Sequence, residues 1–211
     1  MPKPGSLTAL GPCEQLAYVP SDFDAALKYW TETMGVGPFF LFENITLENM
    51  RYRGEPTDAR FSVAMAYWND IQIELFRPEN DAPAHYNGEY GVQDRLHHTL
   101  VIVEDFEAAK KAVGDAGAEI IVEGTFGGAR VYYVDPGAGP GGLLEILEKS
   151  EQGEQLFTMM RDAARDWAGT QMDALYAARI DEDFAIGDRL GQVRDLCRID
   201  LEGERFMRSR C

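Results

Sequence analysis

The spacing of apolar residues divides this chain into alternating strands and helices. Residues 13–19 read as an apolar strand, and Pro20 ends it because proline cannot donate to a ladder. Ser21 or Asp22 is placed to cap a helix over residues 23–34, with Ala26, Leu27 and Trp30 at helical spacing and Gly35 as its stop. Extended segments start at Val36, and residues 61–68 and 71–76 read as a hairpin about Asn69-Asp70. The pattern then restarts: a strand over 98–103, a helix from 106 to about 116, and strands over 119–122, 130–134 and 143–147. Gly137 to Gly142 is a turn without a nucleotide-binding fingerprint.

The restart is a repeat. Gln15 overlays His98, Asp22 overlays Asp105, Phe23 overlays Phe106 and Asp24 overlays Glu107, all at an offset of 83 residues with no gap. The predicted fold is α+β, with paired β-α-β-β-β modules over 13–77 and 96–149. Residues 1–12 read as a flexible Pro/Gly-rich lead-in. Residues 78–95 read as a polar linker long enough for part of it to cover a site. Beyond Lys149 the period is helical: Leu156, Met160, Ala163, Ala164 and Trp167 share a face, and Leu190, Val193, Leu196 and Cys197 suggest another helix. The extension 150–211 is therefore expected to be helical, packing on the modules or on a dimer partner in preference to acting as a lid.

Strand alternation singles out four polar residues. Gln15 shares a face with Ala17 and Val19, and His98 shares one with Leu100 and Ile102. Glu74 shares a face with Gln72 and Phe76, opposite Ile71, Ile73 and Leu75. Glu145 lies between Leu143 and Leu147. A carboxylate on such a face costs several kcal/mol unless a cation or strong donors meet it. Each of the four alone reads as an ordinary strand residue, and only the quartet points to metal. His97 is expected to point away from His98, and His85 to lie on the surface. Phe39, Phe40, Phe42, Tyr67 and Trp68 are available to line a pocket or fill the core.

The paired modules, the Asp-Phe-[Asp/Glu]-Ala-Ala copies, Ile73-Glu74-Leu75 and Leu144-Glu145-Ile146 resemble the vicinal oxygen chelate superfamily over about residues 11–149. That superfamily includes glyoxalase I, methylmalonyl-CoA epimerase, extradiol dioxygenases and the bleomycin- and fosfomycin-resistance proteins. The resemblance implies a curved sheet or open barrel around a metal cavity, and a homodimer. It implies one divalent metal ion on Gln15, Glu74, His98 and Glu145, the ligand order of zinc-type glyoxalase I. Zinc is the first expectation, with nickel, cobalt, manganese or iron as alternatives. Glu145 is then the preferred proton-transfer base and Glu74 the second candidate. The implied activity is that of a lyase, isomerase or epimerase working through an enediolate on a small α-oxo compound or thioester. A metal-free binding protein of the bleomycin-resistance kind is the alternative. An extradiol dioxygenase ranks lower, since it needs two histidines and a carboxylate. Arg51, Arg53, Arg60 and Arg77 are available to hold an anionic substrate, but no motif selects among them.

Composition narrows the partners. Of 211 residues, 45% are hydrophobic, and the net charge is −16. A field of that sign repels phosphate, so neither nucleic acid nor an anionic membrane is an expected partner, and a small-molecule substrate is. No segment approaches the ~20 apolar residues of a membrane span, and the N-terminus has no apolar core of signal-peptide length. Cys13, Cys197 and Cys211 form neither a disulfide framework nor a zinc-finger spacing, and a reducing, cytoplasmic setting is expected.

Overall fold

The computed structural model describes residue 3, residues 5–169, and the backbone of residues 175–178 and 197–198. The first module opens on β1 (Gln15–Tyr18). Asp22 caps α1 (Phe23–Lys28), its carboxylate accepting from the Ala25 N–H at 2.9 Å. This satisfies one of the N–H groups that a helix start leaves without a partner. A π-helical turn over Tyr29–Thr33 carries the helix toward Gly35, which stands at φ +66°. Then follow β2 (Phe39–Ile45), β3 (Glu48–Tyr52), β4 (Glu55–Pro56), β5 (Phe61–Trp68) and β6 (Ile71–Pro78).

The second module comprises β7 (Leu96–Val103), α2 (Phe106–Asp115), β8 (Glu119–Phe126), β9 (Ala129–Asp135) and β10 (Leu143–Glu148). Asp105 caps α2 just as Asp22 caps α1, accepting from the Ala108 N–H at 2.9 Å. The extension holds α3 (Glu151–Asp166), capped by Ser150, then two short strands, β11 (Leu175–Ala178) and β12 (Cys197–Arg198). It is therefore not helical throughout, and Cys197 lies in a strand pair instead of the expected second helix. Leu190, Val193 and Leu196 lie outside the described residues. No described helix is long and apolar enough to cross a membrane.

The described strands form one curled sheet in the order β12-β11-β2-β5-β6-β1-β7-β10-β9-β8-β3-β4. Within each module the first strand lies parallel to the last, and β1 meets β7 antiparallel at the centre. The strands carrying Glu74, Gln15, His98 and Glu145 are therefore four consecutive neighbours, β6-β1-β7-β10. Their register sets Gln72, Gln15, Leu100 and Glu145 in one row. The next row on the same face holds Glu74, Ala17, His98 and Leu143. The hairpin β3–β4 breaks the two-module symmetry, because β3 crosses over to pair with β8 of the second module.

Side-chain alternation divides the core in two. On one face Ile73 and Leu75 pack with Phe23, Leu27 and Trp30 of the first helix, and Val101, Val103 and Ile146 pack with Phe106, Ala109 and Val113 of α2. The opposite face gathers Phe40, Phe61, Val63, Met65, Phe76, Val131 and Leu143, closed by Leu156 and Met160 of α3. The lead-in is less detached than its composition suggests, since Leu7 and Leu10 pack against the α2 cluster.

The segment after β6 is also more ordered than its polarity implies. It contains a short 3-10 turn over Gly88–Tyr90 and buries Ala84, His85, Tyr86 and Tyr90. Tyr86 packs on Phe76 with ring centroids 4.7 Å apart, and the Tyr90 hydroxyl hydrogen-bonds Asp135 at 3.0 Å.

Candidate metal centre

The curled sheet converges Glu74, His98 and Glu145, whose ligand atoms all lie within 4.8 Å of one another. His98 Nε2 is 3.3 Å from Glu74 Oε2 and 3.2 Å from Glu145 Oε2. Gln15 joins them on the same face and lines one cavity with Glu74 and Glu145. Exposure is 2% for Gln15, 6% for Glu74, 1% for His98 and 8% for Glu145, so none is a solvated surface group.

Charge is the unresolved quantity here. The ion pairs described for Glu74 and Glu145 are both with His98. Two carboxylates thus share one imidazole. Burial disfavours a charge on His98, but its contacts with Glu145 and Glu74 outweigh burial and carry its pKa up to about 9. Burial also pushes Glu74 above the ordinary carboxylate range, against the opposing pull of His98. With both carboxylates ionised, a charged His98 offsets only one of the two negative charges.

Gln15 Oε1, Glu74 Oε2 and His98 Nε2 are buried without a hydrogen-bond partner. Buried polar atoms are rarely left so. They approach one another without the alignment of hydrogen bonds. A divalent cation meets all three deficits: it accepts O and N donors, and two carboxylates balance its charge while Gln15 and a neutral His98 add none. The donor set therefore fits the implied ion.

A neighbouring side chain orients the Gln15 amide. Gln15 Nε2 donates to Gln72 Oε1 at 2.7 Å, and Gln72 Nε2 donates to the Tyr67 hydroxyl at 3.2 Å, which leaves the Gln15 oxygen toward the cluster. Burial, then the charges of Glu145 and Glu74, hold the Tyr133 phenol well above its ordinary range, so it stays protonated opposite Glu145 in the β9–β10 register.

The cavity holds about 90 Å³. Its walls are apolar, with Phe61, Val63, Met65 and Val131 from the sheet and Leu156 and Phe157 from α3. The tail helix is thus packed on the modules, as the pattern favours, and also roofs the site.

Of the aromatic residues weighed as pocket lining or core, four are core. Phe39 belongs to the α1 face, Phe40, Phe42 and Tyr67 to the packed core, and Trp68 is 48% exposed. Arg53 pairs with Glu89 and Glu119, Arg77 with Glu79 and Glu43, and Arg51 reaches the Gly54 carbonyl.

The other two histidines depart from expectation. His85 is fully buried, stacked on Tyr133 at 3.6 Å between ring centroids. His97 is also fully buried and does not point away from His98, since their Nδ1 atoms are 2.9 Å apart. The cause is a β-bulge. Ala17 faces His98 while Tyr18 faces Leu96, so His97 is the extra residue of β7 and escapes the two-residue alternation.

A family model described as the Glyoxalase/Bleomycin resistance protein/Dioxygenase superfamily matches residues 14–133. The chain belongs to this superfamily. The match spans both modules up to β9, and the fold is the vicinal oxygen chelate arrangement that the repeat implies. No curated protein matches the sequence. Solved structures similar to this superfamily member include a hypothetical protein from Bacillus halodurans C-125, at 18% identity and TM-score 0.45, covering 66% of this chain and 95% of that one. Another is the methylmalonyl-CoA epimerase from Mycobacterium tuberculosis, at 15% identity and TM-score 0.44, covering 73% and 96%. A variant of the Streptomyces coelicolor methylmalonyl-CoA epimerase in complex with 2-nitronate-propionyl-CoA has 16% identity and TM-score 0.44, covering 67% and 96%.

Proposed function

We propose that this superfamily member is a metal-dependent lyase, isomerase or epimerase acting through an enediolate on a small α-oxo compound or thioester. Gln15, Glu74, His98 and Glu145 would hold one divalent ion, zinc first among zinc, nickel, cobalt, manganese and iron. The observation that carries the reading is the buried, charge-deficient convergence of Glu74, His98 and Glu145 beside the unpartnered Gln15 oxygen. When bound, the ion supplies Lewis-acid polarisation of a carbonyl and offsets the negative charge of the enediolate.

The remaining chemistry belongs to the side chains. Glu145 is the base that moves a proton between adjacent carbons, and Glu74 is the second candidate. Tyr133, a neutral phenol, stands opposite Glu145 in the β9–β10 register. The apolar walls keep water from the carbanion-like intermediate. Among the described residues the cluster that could hold the ion has one histidine, His98, and two carboxylates, which disfavours the two-histidine, one-carboxylate site of an extradiol dioxygenase.

The test is elemental analysis of protein purified without chelator, for wild type and Glu145→Ala, followed by assays on hemithioacetals and acyl-CoA esters. About one divalent ion per chain, lost in Glu145→Ala, is expected. Glu145→Gln should fold and lose proton transfer. A wild type that neither contains nor takes up metal would overturn the reading in favour of a binding protein, and full activity in Glu145→Gln would remove Glu145 as base.

A further inference from the structure

An imidazole offers a metal either of two nitrogens, and a neutral ring has a lone pair on only one. His98 turns Nε2 toward Glu74 and Glu145, so its proton must sit on Nδ1 for it to ligate. His98 Nδ1 lies 2.9 Å from His97 Nδ1. His97 Nε2 in turn lies 2.8 Å from the His85 carbonyl oxygen and 3.2 Å from that of Tyr90. Carbonyl oxygens only accept, so His97 Nε2 carries a hydrogen. His97 is fully buried, and the hydrogen-bond partners described for it are those two carbonyls and His98. No carboxylate is among them to support a second proton, so His97 is neutral and its Nδ1 is an acceptor. His98 Nδ1 must then donate, which leaves Nε2 as the ligand nitrogen.

We infer that His97 is a positioning residue that fixes the tautomer of His98, with its own tautomer dictated by the backbone carbonyls of His85 and Tyr90. The β-bulge is what makes this possible, since a regular strand would send the two rings to opposite faces. It also gives the segment after β6 a role, because that segment supplies both carbonyls. The inference rests on the metal reading above.

The experiment compares wild type, His97→Phe and His97→Asn. Phe removes the acceptor, whereas the Asn side-chain oxygen can occupy nearly the position of Nδ1 and accept from His98. Zinc affinity is measured by competition with a chromophoric chelator, and folding by circular dichroism. His97→Phe should bind zinc about 10–100-fold more weakly, the usual cost of losing a ligand's hydrogen-bond partner. His97→Asn should stay within a few-fold of wild type. Two-bond ¹⁵N–¹H couplings in zinc-loaded wild type should place the proton on Nε2 of His97 and on Nδ1 of His98. Unchanged affinity in His97→Phe, equal losses in both variants, or a proton on His97 Nδ1 would overturn the inference while leaving the metal site intact. Absence of zinc uptake by wild type would defeat the metal reading itself, and this inference with it. Should His97→Phe not fold, the coupling measurement on wild type and the Asn variant still decide.

Discussion

Met160→Ala tests whether α3 roofs the cavity beside Glu74 and Glu145. Met160 is 1% exposed and belongs to the same buried cluster as Val63, Met65 and Leu143. Truncation removes three heavy atoms, worth about 2 kcal/mol in transfer free energy at ~0.8 kcal/mol per methylene-sized group. The void left behind adds on the order of 1 kcal/mol, because the sheet below is fixed by its ladders and collapses only in part. A loss of about 3 kcal/mol follows, within the range of ~2–5 kcal/mol for buried Met→Ala. For a chain of this size that lowers Tm by about 6–12 °C at ~2–4 °C per kcal/mol. Thr158→Ala, exposed on the same helix, is the control and should stay within about 0.5 kcal/mol. Both are read by thermal melts monitored at 222 nm. A drop below about 2 °C for Met160→Ala would show that the helix does not pack on the sheet, and the roofed cavity would go with it.

Two other predictions come from local electrostatics. In metal-free protein the His98 pKa rises from 6.5 to about 9 on folding. The folded form then holds a proton that the unfolded chain has released, so this stabilisation is complete below about pH 6.5 and is lost as pH rises toward 9. The loss is at most about 3 kcal/mol and is shared with Glu74, since both compete for the same proton. Urea midpoints from pH 6 to 9 should fall without metal and hold with bound zinc, which displaces that proton; a flat metal-free profile would refute the assignment. Asp105→Ala should cost about 1 kcal/mol by leaving the Ala108 N–H without its cap. An unchanged melting temperature in that variant would mean the cap contributes nothing.

What was legible in the sequence was whatever repeats. The 83-residue offset between Gln15 and His98, and between Asp22 and Asp105, reflects two modules under the same local rules of strand, cap and helix. Alternation grouped Gln15, Glu74, His98 and Glu145 with the neighbours they share a face with, because the ladder on their strands keeps register at each of them. Alternation also misplaced His97, because a bulge is an exception to the two-residue period and leaves no mark in composition. His85 was misread for another reason. Its neighbours Asn80, Asp81 and Asn87 are polar, yet Asn87 spends its side chain on the Asn80 and Ala82 carbonyls, folding the segment so that His85 turns inward. The crossing of β3 to β8 could not be read locally, since any edge strand offers the same ladder.

These successes and failures divide along the symmetry of the molecule. The two modules together supply the strands carrying Gln15, Glu74, His98 and Glu145 at the centre of the sheet, and a symmetric pair suffices for that. The cavity walls come mostly from strands of the two modules, and the part that stands outside the repeat is α3 with its cap. A metal centre built from a repeat can be shared by relatives with many substrates, because four ligands constrain the ion and leave the rest of the cavity free. The substrate must then be selected by the walls, and here Leu156 and Phe157 of α3 are part of them. Divergence in chemistry among proteins with this sheet should therefore track the elements that interrupt the repeat, while the ligand rows stay legible from strand register alone.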